Sequence, residues 1–247
     1  MNRDEKATIK MYKGLAEEYH GMRLKKSFYN EMIEMPAMIK MLGNIKGKKI
    51  LDWGCGSGLY IKKLKSKCAE IKGFDISQDM IKIAREINPT IDIREGSGTK
   101  IPFKEEFDIV FASLAIHYLK DLDRPFKEIH RVLKPKGVFI FSTGNIVSKA
   151  GKTKEIQGKK YKVLGIKDYF KMNRTDIPFI TKTGKKVFVF NYLLKPKQVI
   201  QTAQKNGFEV IDYEDAKPIS QAKKLDAKEY EYYSKVPIFA IWKLRKR

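Results

Sequence analysis

The sequence predicts an α/β fold built on a parallel sheet, on three observations. A short apolar strand, Ile50-Leu51-Asp52-Trp53, breaks into glycines at alternate positions, Gly54, Gly56 and Gly58, and runs on into a helical pattern through Ile61 and Leu64. From there to Ser142 apolar and amphipathic runs alternate, the order that makes parallel strands joined by crossover helices. Two runs, Phe107-Asp-Ile-Val-Phe-Ala112 and Val138-Phe-Ile-Phe-Ser142, are near-continuously apolar, as strands buried on both faces require.

The bulk properties bound what such a fold does. At 247 residues the chain is long enough for one α/β domain with an addition. No apolar run approaches the roughly 18 residues of a membrane span, and the charged start, Met1-Asn-Arg-Asp-Glu-Lys, lacks the apolar core of a signal peptide. Cys55 and Cys68 form neither a metal-spacing motif nor a disulfide framework, so a reducing cytoplasm and no metal are expected. The net charge of +22 points to a Lys-rich composition or to a nucleic-acid partner. Only nine of the 51 basic residues are Arg and the Lys are spread along the chain, whereas RNA-binding surfaces concentrate Arg and interleave aromatics.

In chain order, residues 4–42 read as two helices. Met11, Leu15 and Tyr19 recur at four-residue spacing with Tyr12 beside them, and Phe28, Met32, Met35, Ile39 and Leu42 form a second run that Pro36 bends or restarts. Residues 1–44 are therefore read as a helical lid, bringing Tyr19 and Arg23 over a ligand mouth. That mouth is the glycine turn. Glycine permits positive φ and close approach, and the helix start offers unpaired N–H groups. The spacing departs from the dinucleotide fingerprint G-x-G-x-x-G, because the third glycine, Gly58, comes one residue early. Asp52 repels a pyrophosphate but attracts a ligand that carries an ammonium group and a carboxylate, as S-adenosylmethionine does beside its sulfonium. Cys55 lies inside the same turn.

A second strand, Ala69–Phe74, ends in Asp75, 17 residues past Gly58, where an acid accepts both ribose hydroxyls. Ser77 caps a helix from Gln78 to Ile87 whose first turn carries Met80. After a short strand at 91–94 comes Glu95-Gly96-Ser97-Gly98-Thr99, small enough for an adenine ring to lie flat against it. The strand Phe107–Ala112 runs into Ser113-Leu114-Ala-Ile-His117, which sets Ser113 and Leu114 at the mouth and His117 just past a central strand end. His130 falls among the polar positions of the next helix, Asp121–Leu133, and is read as a surface residue; Lys134–Gly137 turns the chain into the fifth strand.

These motifs together resemble the class I S-adenosylmethionine-dependent methyltransferases, particularly the small-molecule group of ubiquinone and menaquinone biosynthesis. The resemblance rests on Leu51-Asp-Trp-Gly-Cys-Gly-Ser-Gly58, Gly73-Phe-Asp-Ile-Ser77, Ile101-Pro-Phe103, Phe107-Asp-Ile-Val110, Leu114-Ala-Ile-His117 and Glu128-Ile-His-Arg-Val-Leu-Lys-Pro-Lys-Gly137, in order over residues 45–145. It implies a Rossmann-like seven-stranded sheet with helices on both faces and the last strand inserted antiparallel beside the fifth. It implies that Asp52 and the Gly54/Gly56/Gly58 turn hold the methionine part, that Asp75 holds the ribose, and that Ile76 and Met80 flank the adenine. Family members often carry an acid after the glycine of the adenine loop; Ser97 stands there, a weaker neutral partner, with Gly98 beside it.

Residues 146–192 fall outside that core and read as a substrate-covering insertion. Ser148–Lys160 is dense in Lys and Gly and is expected to be a mobile loop; Tyr161, Tyr169-Phe170 and Pro178–Ile180 precede a strand-like Lys186–Tyr192. Residues 193–247 return to the core, with a helix from Pro196 to Lys205, strands at 208–213 and 237–244, and between them a Lys-rich stretch, Ala216–Lys228, expected to be a solvated loop or helix face. The expected reaction is methyl transfer to a small-molecule acceptor, yielding S-adenosylhomocysteine, with RNA as the alternative acceptor. His117 is the candidate base if the acceptor is a hydroxyl or an acidic carbon.

Overall fold

The computed structural model describes residues 3–25, 27–104, 107–149, 151–156, 159–164, 173–180, 184 and 186–247. The chain opens with helices α1 (Arg3–Tyr12) and α2 (Ala16–Leu24), then a π-helical turn at Asn30–Glu34 that leads into α3 (Met35–Leu42). The core follows as β1 (Lys49–Trp53), α4 (Leu59–Leu64), β2 (Glu70–Asp75), α5 (Gln78–Ile87), β3 (Ile93–Glu95), β4 (Phe107–Ala112), a 3₁₀ turn at Ile116–Tyr118, α6 (Asp123–Val132) and β5 (Leu133–Gly144). Next come α7 (Ile146–Lys149) and two antiparallel hairpins, β6 (Gly151–Ile156) with β7 (Lys159–Leu164) and β8 (Arg174–Ile180) with β9 (Lys186–Tyr192). The chain closes with α8 (Pro196–Lys205), β10 (Phe208–Asp215), α9 (Ala222–Leu225), α10 (Ala227–Tyr233) and β11 (Phe239–Lys246).

Seven strands form one sheet in the order β10-β11-β5-β4-β1-β2-β3. β11 runs antiparallel to both β10 and β5, and the remaining pairs are parallel. The period of two along each strand divides the core. Leu51, Trp53, Phe139 and Phe141 face one side with Phe126 and Trp242; Ile50, Ile140 and Ile241 face the other with Met38 and Ile61. Burying each such large side chain contributes about 1.5–3 kcal/mol, which makes the sheet a rigid platform for the loops at its edge. The capping predicted at Ser77 is present: its hydroxyl accepts the Met80 N–H at the start of α5, whose Met80, Ile81, Ile83 and Ala84 are buried.

Several local expectations change. The first predicted helix is broken at Gly14, whose φ of +75° only glycine adopts without strain, so α1 and α2 are separate. Pro36 cannot donate a backbone hydrogen bond, and the turn before it widens so that the Met35 N–H bonds back to the Asn30 carbonyl. The turn expected at Lys134–Gly137 is instead a bulge inside β5: its pairing with β4 slips between Phe107 and Ile109, with Lys136 at φ +61°. His130, expected at the surface, packs half-buried at 5.5 Å from the Phe208 ring. The stretch 148–160, expected to be a mobile loop, holds the end of α7, all of β6 and the start of β7. The Lys-rich stretch before β11, expected as a solvated loop or helix face, holds α9 and the start of α10, with Ala222 buried. Tyr169 and Phe170 lie outside the described residues.

Candidate functional site

A cavity opens at the carboxyl ends of β1, β2 and β4, where α/β sheets gather their ligand-binding loops. One wall is the glycine turn. Gly54 and Gly56 hold φ of +69° and +53° there, and a Cβ at Gly54 would come within 2.7 Å of the Ala115 Cβ. Nothing lies within 4 Å of the place a Gly56 Cβ would take, so the turn presents bare backbone to the cavity. Asp52 closes β1 against this turn. Asp52 is 2% exposed, and its Oδ2 has no hydrogen-bond partner among the described residues. Burial raises its pKa well above the ordinary range, and the nearby carboxylates Asp75 and Glu34 raise it further.

Asp75 stands one strand over. Its Oδ2 accepts the Gly56 N–H at 2.8 Å and its Oδ1 accepts the Ser77 N–H at 2.9 Å, so it staples the glycine turn to the start of α5. Burial raises its pKa, and these backbone donors work against the rise. A carboxylate offers about four acceptor positions, enough for ligand hydroxyls besides the two staples.

Helices α1 and α2 and the 3₁₀ turn after β4 form the opposite wall. Tyr12 packs edge to face on Tyr19 and on Tyr118, ring centres 5.9 Å apart in each pair, and the Tyr12 and Tyr118 hydroxyls meet at 2.7 Å. Arg23 is 9% exposed and donates from Nε and Nη2 to Glu31 Oε1. Burial presses its pKa down, but Tyr19, Glu34 and Glu31 outweigh that and hold the guanidinium firmly charged. Behind it lies Glu34, fully buried at the end of the π-helical turn. It accepts from Tyr60 (2.7 Å), Ser113 (2.8 Å) and Ser142 (2.6 Å). Burial raises its pKa, opposed by these hydroxyls and Arg23. Ser142 Oγ also accepts the N–H of Leu114, a non-glycine residue at φ +47°. Glu34 thus helps hold a strained backbone position at the cavity edge.

Of the residues singled out in the sequence, Tyr19, Arg23, Asp52, Gly54, Cys55 and Gly56 line the cavity, as do Asp75, Ile76, Met80, Gly98, Ser113 and Leu114. Three do not. Gly58 caps α4 and packs it on α5: a Cβ there would meet Asn88 Nδ2 at 2.7 Å and Ala84 Cβ at 3.1 Å. Ser97 faces away from the cavity, its hydroxyl bound to Glu5 and Thr99. His117 is buried, packed on Tyr118 with ring centres 4.7 Å apart; Tyr118 holds the wall. The Cys55 thiol is no nucleophile, since burial and then Asp52 and Asp75 push its pKa well up. Sequence reasoning missed Glu5, Thr8, Tyr60 and Glu34. The last left a trace, a lone acid within the apolar run Met32-Ile33-Glu34-Met35; the others left none.

The cradle fits a ligand that brings positive charge to Asp52, an anionic group to Arg23 and hydroxyls to Asp75. The profile of the methyltransferase domain family matches residues 51–141, the stretch that contains the glycine turn, Asp75 and β4. An uncharacterized protein of Methanocaldococcus jannaschii is 31% identical over 210 residues, covering 84% of this chain and 78% of that protein. The solved structure of a Listeria monocytogenes protein assigned to the S-adenosylmethionine-dependent methyltransferases superposes with a TM-score of 0.71. It is 26% identical and is matched over 87% of this chain and 96% of that one. Residues 51–141 form a methyltransferase domain, and the chain has the fold of the S-adenosylmethionine-dependent methyltransferases. Within that family, the demethylmenaquinone methyltransferase of Chlorobaculum parvum is 41% identical over 91 residues, 36% of this chain and 38% of that enzyme. The chain spans 50% and 63% of two other curated relatives, about half their length. S-adenosylmethionine is the family's cofactor, and an unpartnered buried acid beside a bare glycine turn is what its cationic methionine end requires.

Proposed function

We propose that this chain transfers a methyl group from S-adenosylmethionine to a small-molecule acceptor and releases S-adenosylhomocysteine. The observation that carries this reading is Asp52, a buried carboxylate with one oxygen unpartnered in the cavity wall. An uncompensated buried charge costs several kcal/mol, and a ligand cation removes that cost on binding. When bound, the cofactor supplies an electrophilic methyl on a cationic sulfur that leaves as a neutral thioether. The residues of the chain bind and orient. Asp52 pairs with the ammonium end, the charge of Arg23, whose Nε and Nη2 hold Glu31, attracts a carboxylate, and Asp75 accepts ribose hydroxyls. Tyr12, Tyr19 and Tyr118 close over the cavity and exclude water, which favours alignment of donor and acceptor. The acceptor contributes the electron pair of the new bond and loses a proton.

The insertion, residues 146–192, is read as the acceptor-side cover, and residues 1–44 as the lid. Supporting this, Phe190 of β9 packs on Tyr118 at 5.8 Å and Tyr192 donates to Asp4 of α1 at 2.9 Å. Aromatic walls suit a planar, apolar acceptor, and the likeness to a demethylmenaquinone methyltransferase points the same way. A hydroxyl or acidic carbon needs a base, whereas an amine brings its own lone pair. His117 is buried behind Tyr118 rather than in the cavity wall, so it reaches an acceptor only if Tyr118 moves aside; His117→Ala is expected to lower turnover and spare cofactor affinity, and unchanged turnover removes it from the mechanism.

The test is calorimetric titration with S-adenosylhomocysteine and with NAD, followed by assay of S-adenosylhomocysteine release over a panel of quinols, phenols and amines. NAD uptake without heat from the sulfur ligand would overturn the reading. The +22 charge favours RNA as a second acceptor class. Methylation of bulk tRNA, with retention that falls steeply with salt, would select it.

A further inference from the structure

Helix α1 carries a second buried carboxylate that the reading above does not use. Glu5 is 2% exposed and lines the cavity. It reaches 92 residues along the chain to the loop after β3, where the Ser97 hydroxyl donates to its Oε1 and the Thr99 hydroxyl donates to the same oxygen at 2.9 Å. That loop is pressed flat. A Cβ at Gly98 would come 2.0 Å from the Trp53 ring, and one at Gly96 would come 2.7 Å from Pro102. Ile76 and Met80 line the cavity along with Gly96 and Gly98. The result is a narrow slot between apolar side chains and bare glycine backbone, with an acid at its rim. Such a slot complements a flat ring that carries an N–H donor on its edge, and a carboxylate accepts that donor more strongly than a neutral oxygen does.

We propose that Glu5 determines the base specificity of the cofactor site by accepting the exocyclic amino group of the adenine. The inference rests on the cofactor reading above and adds a consequence for the lid. The residue before Glu5, Asp4, accepts the Lys120 N–H at 3.0 Å and the Tyr192 hydroxyl at 2.9 Å. The first turn of α1 therefore joins the slot, the loop after β4 and the insertion. Filling the slot with an amino-bearing ring fastens α1 and, through Asp4, the insertion, so cofactor binding and lid closure form one event.

The full chain is titrated with S-adenosylhomocysteine and with S-inosylhomocysteine, which carries a carbonyl in place of the amine, following heat and Trp53 fluorescence. The intact chain is expected to prefer the adenine ligand by about tenfold or more, the scale of a hydrogen bond to a charged group. Glu5→Gln is expected to weaken the adenine ligand by about that factor and to bring the two ligands within about threefold, because an amide also donates to the carbonyl. Amide hydrogen exchange over residues 3–12 should slow on adding S-adenosylhomocysteine and slow less with the inosine ligand. A thermal melt establishes that the variant folds; should it not, Glu5→Asp, which withdraws the carboxylate by one methylene, is titrated instead and is expected to narrow the same ratio. An unchanged ratio in a folded variant overturns the role of Glu5. Failure of the intact chain to bind either ligand overturns the cofactor reading itself.

Discussion

The two ends of the cavity are built in opposite ways. At the glycine-turn end, Asp52, Gly54, Gly56 and Asp75 come from two adjacent strands and the turn between them, and backbone N–H groups staple Asp75 in place. At the helical end, Tyr12 of α1, Tyr19 and Arg23 of α2, and Glu34 of the π-helical turn come from three segments, and side chains do the joining: hydroxyl to hydroxyl, guanidinium to carboxylate, three hydroxyls to one acid. The first arrangement is stiff because it belongs to the sheet. The second is assembled from contacts that form only when the helices dock, which suits a surface that opens for ligand exchange.

Asp52→Asn should produce the largest effect and sharpen the contrast. Affinity for S-adenosylhomocysteine is expected to fall by at least about 30-fold in calorimetry, since the variant removes one member of a buried charge pair. The ligand-free chain should become more stable, because the buried charge is gone; each kcal/mol gained moves the melting temperature by about 2–4 °C for a chain of this size. The sign of the pH dependence follows from the raised pKa of Asp52. Its stabilising contribution is present below the unfolded carboxylate pKa and is lost as pH rises through the higher folded value. The stability advantage of Asp52→Asn over the parent should therefore grow from pH 4 towards neutrality in paired thermal melts.

Gly54→Ala should come next. It places a Cβ 2.7 Å from Ala115 at a φ of +69°, a conformation that costs a non-glycine residue about 1–2 kcal/mol before the clash is counted. About a tenfold or greater loss of ligand affinity is expected, with a lower melting temperature; a change at the lid alone would leave the melting temperature nearly as it was. On the lid side, Tyr12→Phe removes one hydroxyl contact and should cost about 1 kcal/mol of stability or less, with a small drop in turnover. The smallest effect belongs to Lys40→Ala, which breaks an exposed pair with Glu214; a loss above about 1 kcal/mol in denaturant melts would contradict the weakness of surface ion pairs.

The stapled end was legible in the sequence because its residues lie within a few positions of strand tips, and local pattern fixes both which strand and which end. Ten singled-out residues line the cavity for that reason, whereas Tyr19 and Arg23 reach it from α2. Gly58 carries the same residue type in the same motif but serves helix packing, a distinction that needs Ala84 and Asn88 in place. His117 illustrates the limit at one residue: the 3₁₀ turn at Ile116–Tyr118 gives the wall to Tyr118, and no spacing rule foretells the rotation of so short a turn. The bulge at Lys134–Gly137 and the hairpin over the Lys- and Gly-rich stretch were hidden because turn-forming composition does not distinguish a loop from a strand that tolerates it.

By itself the sequence determined the parallel sheet, the glycine turn and the two acids at neighbouring strand ends, since hydrophobic period and turn chemistry act over short spans of chain. Only the tertiary structure decided that Glu5 meets Ser97 and Thr99, and that Glu34 meets Ser113 and Ser142. Those acids approach partners about 80 to 110 residues away because apolar burial docks the helices that carry them, and burial carries no record of which polar groups it will bring together.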